Sequence, residues 1–385
     1  MGVYRNLRST NTMALRRSLL FPFCLIPLLG LGQAGTEKAE PQQQQRAVVA
    51  EPYQGGWNVP AAAAKEEADT SPSFTPPAAG AQQQLDLLRW ERNASLARNA
   101  GAIPSVDHAR LVDLAMDLNS TAPNSFEAHM ANYYAKFPAP SAFQELELAT
   151  AKGADREELL APRLVNAARK DNTAELTARA KDMKAKGRIA PSLYKVAEDI
   201  LASLEPEAVL FAAGDMDAFP LWVEQFANGR QKDVLVVDER LLGDAAYRTR
   251  IWERTKAKGA VATQAGFIGS LAAATTRPVY LSLALGQQAM APLKDQLYVT
   301  GLAMRWSRTP VDNMPLLEAR WDRMRKPLDA GPLSKNYLVP GAVLLTHYRN
   351  IGDEARAARL ELELRAMAKS LGATSNLVKS GILQH

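Results

Sequence analysis

A chain of 385 residues with 47% hydrophobic and 23% charged residues has an ordinary globular composition and length enough for two or three domains. One cysteine excludes a disulfide framework, 23 glycines and 23 prolines exclude a collagen-like chain, and no apolar run reaches the roughly 18 residues that a multi-span membrane protein needs repeatedly. The formal net charge of +5 and pI near 9.2 raise nucleic acid as a partner, so where the charge sits matters.

Residues 13–32 have the order of a secretory signal: Arg16 and Arg17, an apolar run over 19–31, then small residues at Gly30 and Gly32. The expectation is cleavage after Gly32; Pro22, Pro27 and the short run argue against the alternative, a permanent anchor. Cys24 falls inside the run, so the mature chain has no cysteine and relies on core burial. Residues 1–32 hold Arg5, Arg8, Arg16 and Arg17 and no acid, and their removal lowers the formal charge from +5 to +1. The basicity therefore reads as an address, periplasmic or secreted, and no nucleic-acid partner is expected. Residues 33–84, rich in Gln, Ala and Pro, read as a disordered linker.

From residue 85 apolar residues take helical spacing, which predicts helices over 85–99, 105–118, 124–136, 141–153, 155–170, 172–186 and 190–204. Pro104-Ser105, Asn124, Asp155, Asn172 and Ser192 offer starts and caps, and Gly153 and Gly187 offer stops. Helix pairs recur at about 33 residues, close to the tetratricopeptide period of 34. The run from Pro123 through Phe126 to Tyr133-Tyr134, followed by Ala142-Phe143 and Gly153, resembles one such repeat, with a generic helical-hairpin solenoid as the alternative. Either leaves a groove for a partner protein or peptide.

Near residue 205 the rhythm changes. Continuous apolar runs over 207–213, 233–238, 279–285 and 297–306 predict strands of a small parallel-sheet, Rossmann-like α/β domain, with a helix over 219–228 between the first two. Helices return at 316–324, 337–348 and 353–371. The domain reading is thus signal 1–32, linker 33–84, helical array 85–204, α/β unit 205–306 and a helical segment over 307–385: mostly α with a small α/β part.

Gly214-Asp215-Met216-Asp217-Ala218-Phe219-Pro220-Leu221-Trp222 lies where the first strand should meet its helix, the usual ligand position of open α/β sheets. Asp215 and Asp217, with Asp238 at the end of the second strand and Trp222 beside them, are the candidate ligand-binding residues, suited to the hydroxyls of a sugar or a nucleotide-like ligand. A carboxylate directly before a helix is equally an N-cap, and that structural reading of Asp217 competes.

This block, with the following DVLVVDERLL, PVYLSL and LYVTGLAMRWS, resembles the soluble region of the protein O-mannosyltransferase-like family of multi-span membrane proteins over about 205–310. Gly214, Asp215, Asp217, Phe219, Pro220, Leu221 and Trp222 match the family's pattern; Met216 and Ala218 replace a polar Asn and Thr. The resemblance implies kinship with an accessory soluble domain. It does not carry transferase activity over, because the membrane-embedded part in which that chemistry is expected has no counterpart here.

His108, His129, His347 and His385 are scattered without zinc-ligand spacing, so no metal is expected, and the absence of a phosphate loop gives no cofactor. Arg305, Arg308, Arg320, Arg323, Arg325 and Lys326 are interleaved with Trp306, Trp321 and with acids at Asp312, Glu318 and Asp322, which reads as an ion-paired surface. The sequence thus points first to an exported, non-enzymatic scaffold for an envelope protein or peptide. Its alternative is a sugar- or nucleotide-like binding protein, or a glycan-related enzyme, at the Asp motif.

Overall fold

In the computed structural model the described residues are 53–54, 57–58, 80–99 and 103–384; the expected signal over 1–32 lies outside them, as does most of the expected linker. Two short strands, β1 (Tyr53–Gln54) and β2 (Trp57–Asn58), pair antiparallel. The helical part comprises α1 (Ala81–Arg98), α2 (Ser105–Thr121), α3 (Phe126–Lys136), α4 (Pro140–Lys152), α5 (Leu160–Arg169), α6 (Thr173–Ala185) and α7 (Pro191–Ala202).

All seven expected helices form, and the displaced boundaries have local causes. Helix α1 begins at Ala81, inside the expected linker, because its glutamines are good helix formers with partners: the Gln82 amide donates to Asp86 and to Glu158, each at 3.1 Å. Ser125 rather than Asn124 caps α3, accepting the Ala128 N–H at 3.0 Å, because Asn124 is held at φ 58° in the preceding turn. Asn172 caps α6 as expected, accepting the Glu175 N–H at 3.1 Å. Ser192 sits within α7 and donates instead to the Asp329 carbonyl at 3.2 Å. Buried residues recur every three or four positions, as in Leu111, Ala115 and Leu118 of α2, so each helix turns one stripe inward. Helix α1 packs on α2 and α3, α3 on α4, α5 on α6, and α6 and α7 on α8 of the next unit.

The α/β unit contains β3 (Val209–Ala212), α8 (Gly214–Phe226), β4 (Leu235–Asp238), α9 (Ala245–Arg254), α10 (Phe267–Ala274), β5 (Val279–Ser282), α11 (Gln287–Met290), β6 (Leu297–Val299) and β7 (Ala303–Trp306). Strands β3, β4 and β5 are buried along their whole length, as expected of strands covered on both faces. The sheet order is β4-β3-β5-β7-β6, with β4-β3-β5 parallel and β7 and β6 antiparallel. The expectation of an all-parallel sheet therefore fails at its last strand. Residues 297–306 fold back on themselves at Gly301, whose φ of +150° and missing Cβ let the turn lie against the Ser203 side chain. After the sheet come α12 (Met314–Trp321), α13 (Leu338–Asn350), α14 (Glu354–Ser370) and α15 (Thr374–Lys379), with α13 and α14 forming the expected hairpin.

The fold is mostly helical with one small mixed sheet, and buried residues from both parts form one continuous core, including Leu88, Phe143, Phe211, Trp222 and Leu344. Among the described residues no helix is long and apolar enough to cross a membrane.

Candidate functional site

Parallel strands β4 and β5 leave β3 on opposite sides, so the carboxyl end of β3 is the point of the sheet where a crevice is expected. Gly214, at φ +71°, takes the chain straight from β3 into α8. The helix thus starts five residues before the expected 219, and Asp215 and Asp217 lie in its first turn rather than ahead of it. Asp238 is the last residue of β4.

Asp215 is held between two arginines. Its Oδ2 accepts Arg92 Nη2 of α1 at 3.0 Å, and its Oδ1 faces Arg240 Nη2 at 2.7 Å. Arg240 also grips Asp238 in a fork, Nε to Oδ1 at 3.0 Å and Nη2 to Oδ2 at 2.6 Å, while its backbone N–H donates to Oδ1 at 3.1 Å. The guanidinium groups rest on aromatic rings of α3 and its end: Arg92 lies 5.3 Å from the Tyr134 centroid and Arg240 5.0 Å from that of Phe137. Four charges of alternating sign therefore run from the helical array into the α/β unit. Burial pushes the Asp215 carboxyl up, but Arg240 and Arg92 outweigh it and hold its pKa below the usual range. Burial likewise opposes the Arg240 charge, and Asp215 and Asp238 overcome it, raising that pKa.

Asp217 is different. Its Oδ2 accepts the Ala213 N–H at 2.7 Å, so it reaches back to cap the helix that contains it. Its Oδ1 is sealed from solvent without a hydrogen-bond partner of good geometry, although the nearby Ser282 hydroxyl eases its charge. Burial, reinforced by repulsion from Asp238, pushes the Asp217 pKa up to about 6 against these stabilising contacts. Trp222 is buried in the core and stacks on Phe219 at 5.8 Å, so it presents no open face.

The four candidate residues thus do not share one open pocket. Only Asp215 reaches a cleft of about 100 Å³, which opens between the helical array and α8 and is lined by Arg89, Arg92, Arg188, Tyr133 and Tyr134 among others. Trp222 borders a separate void of about 30 Å³. Both fall short of the ~300 Å³ at which pockets for drug-sized ligands begin.

The sequence reading missed Arg92, Arg240, Arg89 and Arg188. Arg240 had a local signal, standing two residues after a strand-end aspartate; Arg92, 123 residues from Asp215, had none. Among the described residues no group of three or more His, Cys, Asp or Glu side chains is arranged to hold a metal ion. His108 Nε2 contacts the Ala135 carbonyl at 2.9 Å, and His129 lies between Glu145 at 2.8 Å and Asn124 at 3.1 Å. In the basic run, Arg305, Arg325 and Lys326 pair with Glu205, Glu198 and Glu363, acids distant in sequence rather than those interleaved with them.

Residues 193–264 match the family model of TMEM260-associated domain 2. The match spans α7 through α9 and takes in Asp215, Asp217, Trp222, Asp238 and Arg240, so the motif and its arginine lie within the similarity. Arg92 and helices α1 to α6 lie outside it. By its name the matched domain is linked to a membrane protein, which agrees loosely with kinship to the soluble region of such a protein. No curated protein and no solved structure matches the chain.

Proposed function

We propose that the protein is an exported, non-enzymatic interaction protein of the cell envelope. Its helices act as a tetratricopeptide-like array holding a partner protein or peptide, and its Rossmann-like α/β unit serves as a rigid base. The observation that carries this reading is the occupation of the conspicuous carboxylates: Asp215 and Asp238 are consumed by Arg92 and Arg240, leaving little free to bind a sugar or polarise a substrate. The similarity to TMEM260-associated domain 2 and the resemblance to the soluble region of O-mannosyltransferase-like proteins both favour an accessory soluble role. Exposed apolar side chains on the helical array, Val106, Met116 and Leu148, give a partner something to cover.

Photocrosslinking in intact envelopes tests the proposal. A photoreactive residue at Met116 or Leu148 should give a reproducible protein adduct that the same residue at Leu362 of α14, 70% exposed, does not. No adduct specific to the helical positions, together with saturable thermal stabilisation by a nucleotide sugar, would overturn it in favour of the ligand-binding alternative.

A further inference from the structure

The cleft at the junction of the two parts has a chemistry that the ion network does not exhaust. Arg92 is engaged with Asp215; burial opposes the Arg89 charge, but the Tyr134 hydroxyl, Glu158 and Asp86, the last at 3.2 Å, outweigh it and hold its pKa up, while Arg188 pairs with Glu157 at the rim, and the Asp86 and Glu157 carboxylates are 53% and 52% exposed. Pairs screened to that degree hold a guanidinium weakly. Glu158, the other acid of the lining, is taken up by Arg156 at 2.8 Å and by Gln82 at 3.1 Å. Burial and the neighbouring charge of Arg89 together push the Arg188 pKa below its ordinary value, so the two cationic heads feel each other across this space.

We infer that this cleft is a binding site for a small oxyanion, a phosphate or carboxylate group, held between Arg89 and Arg188 beside the phenols of Tyr133 and Tyr134. A guanidinium fork matches two oxygens of such a group, and an anion placed there relieves the repulsion between the arginines. The volume of about 100 Å³ admits one head group and excludes a dinucleotide or an extended cofactor. The four groups that would hold the anion come from α1, α3 and the loop after α6, so the bound anion ties together separate helices of the array beside the start of α8. This site is independent of the partner groove proposed above.

The test is calorimetric titration of the full mature chain with inorganic phosphate and, separately, acetate, at ionic strength matched with chloride. Saturable binding of one of them is expected, the one that binds more tightly identifying the head group, and Arg188→Gln and Arg89→Gln should each weaken it at least tenfold. Broadening of the phosphorus resonance of phosphate by the unaltered protein supplies a readout that needs no variant. The inference is overturned if neither anion binds beyond the chloride control, or if binding persists undiminished in both folded variants.

Discussion

Asp217 is a carboxylic acid with little to support a charge: 1% exposed, one oxygen on a single backbone N–H, and another carboxylate close by. Its folded pKa of about 6 stands above the ordinary 3.8. The neutral form is therefore favoured by folding, and its stabilising contribution is complete below pH 3.8 and lost as pH rises through about 6, a swing on the order of 3 kcal/mol. Asp217→Asn should remove that slope, so that urea unfolding at pH 4 and pH 7.5 shows the variant gaining on the unaltered chain as pH rises; parallel pH profiles would contradict the assignment. Asp215 has the opposite sign. Its pKa is depressed, so its contribution is present above the ordinary aspartate range and lost as pH falls through the folded value. Arg240 holds two carboxylates, one of them 0% exposed, and removing one partner of a buried pair typically costs about 3–5 kcal/mol. Arg240→Ala should lose that much in denaturant unfolding. Arg240→Lys, which keeps the charge and loses the fork, should lose less; a loss equal to that of Arg240→Ala would mean that the charge without the fork contributes nothing.

Elements form where local chemistry and burial agree, as in the β6–β7 hairpin. Its turn depends on Gly301, where a Cβ would collide with Ser203, whose hydroxyl also accepts the Leu302 N–H at 3.0 Å. Gly301→Ala combines an unfavourable φ with that collision and should cost about 2–4 kcal/mol, measurable as a fall in Tm. The same turn shows why one strand was expected over 297–306: an apolar run marks burial but cannot show that the chain reverses within it. Helix α8 makes a similar point. The sequence reading starts it at 219, yet Gly214 permits an earlier start, and only the early start places Asp217 on the Ala213 N–H. The seven helices of the array were legible because their apolar spacing is regular. The Arg92–Asp215 contact was not, because nothing local to either residue announces a partner more than a hundred positions away.

At the scale of the whole molecule the helical array and the α/β unit are more than neighbours on a string. Helices α6 and α7 pack on α8, Arg169 of α5 pairs with Asp244 before α9 at 2.6 Å, Arg250 Nε donates to the Arg169 carbonyl at 2.9 Å, and the Arg92–Asp215–Arg240–Asp238 chain crosses the junction. Under the proposed reading, a partner held by the array would rest on a base fixed to the sheet. Asp215 and Asp238 serve this union through their arginines. Native-state hydrogen exchange of the unaltered chain and of Arg92→Ala tests it most directly. The variant should lose protection by a similar factor in α1–α3 and in β3 and α8, because both sides unfold together. Loss confined to α1, with β3 and α8 unchanged, would contradict it.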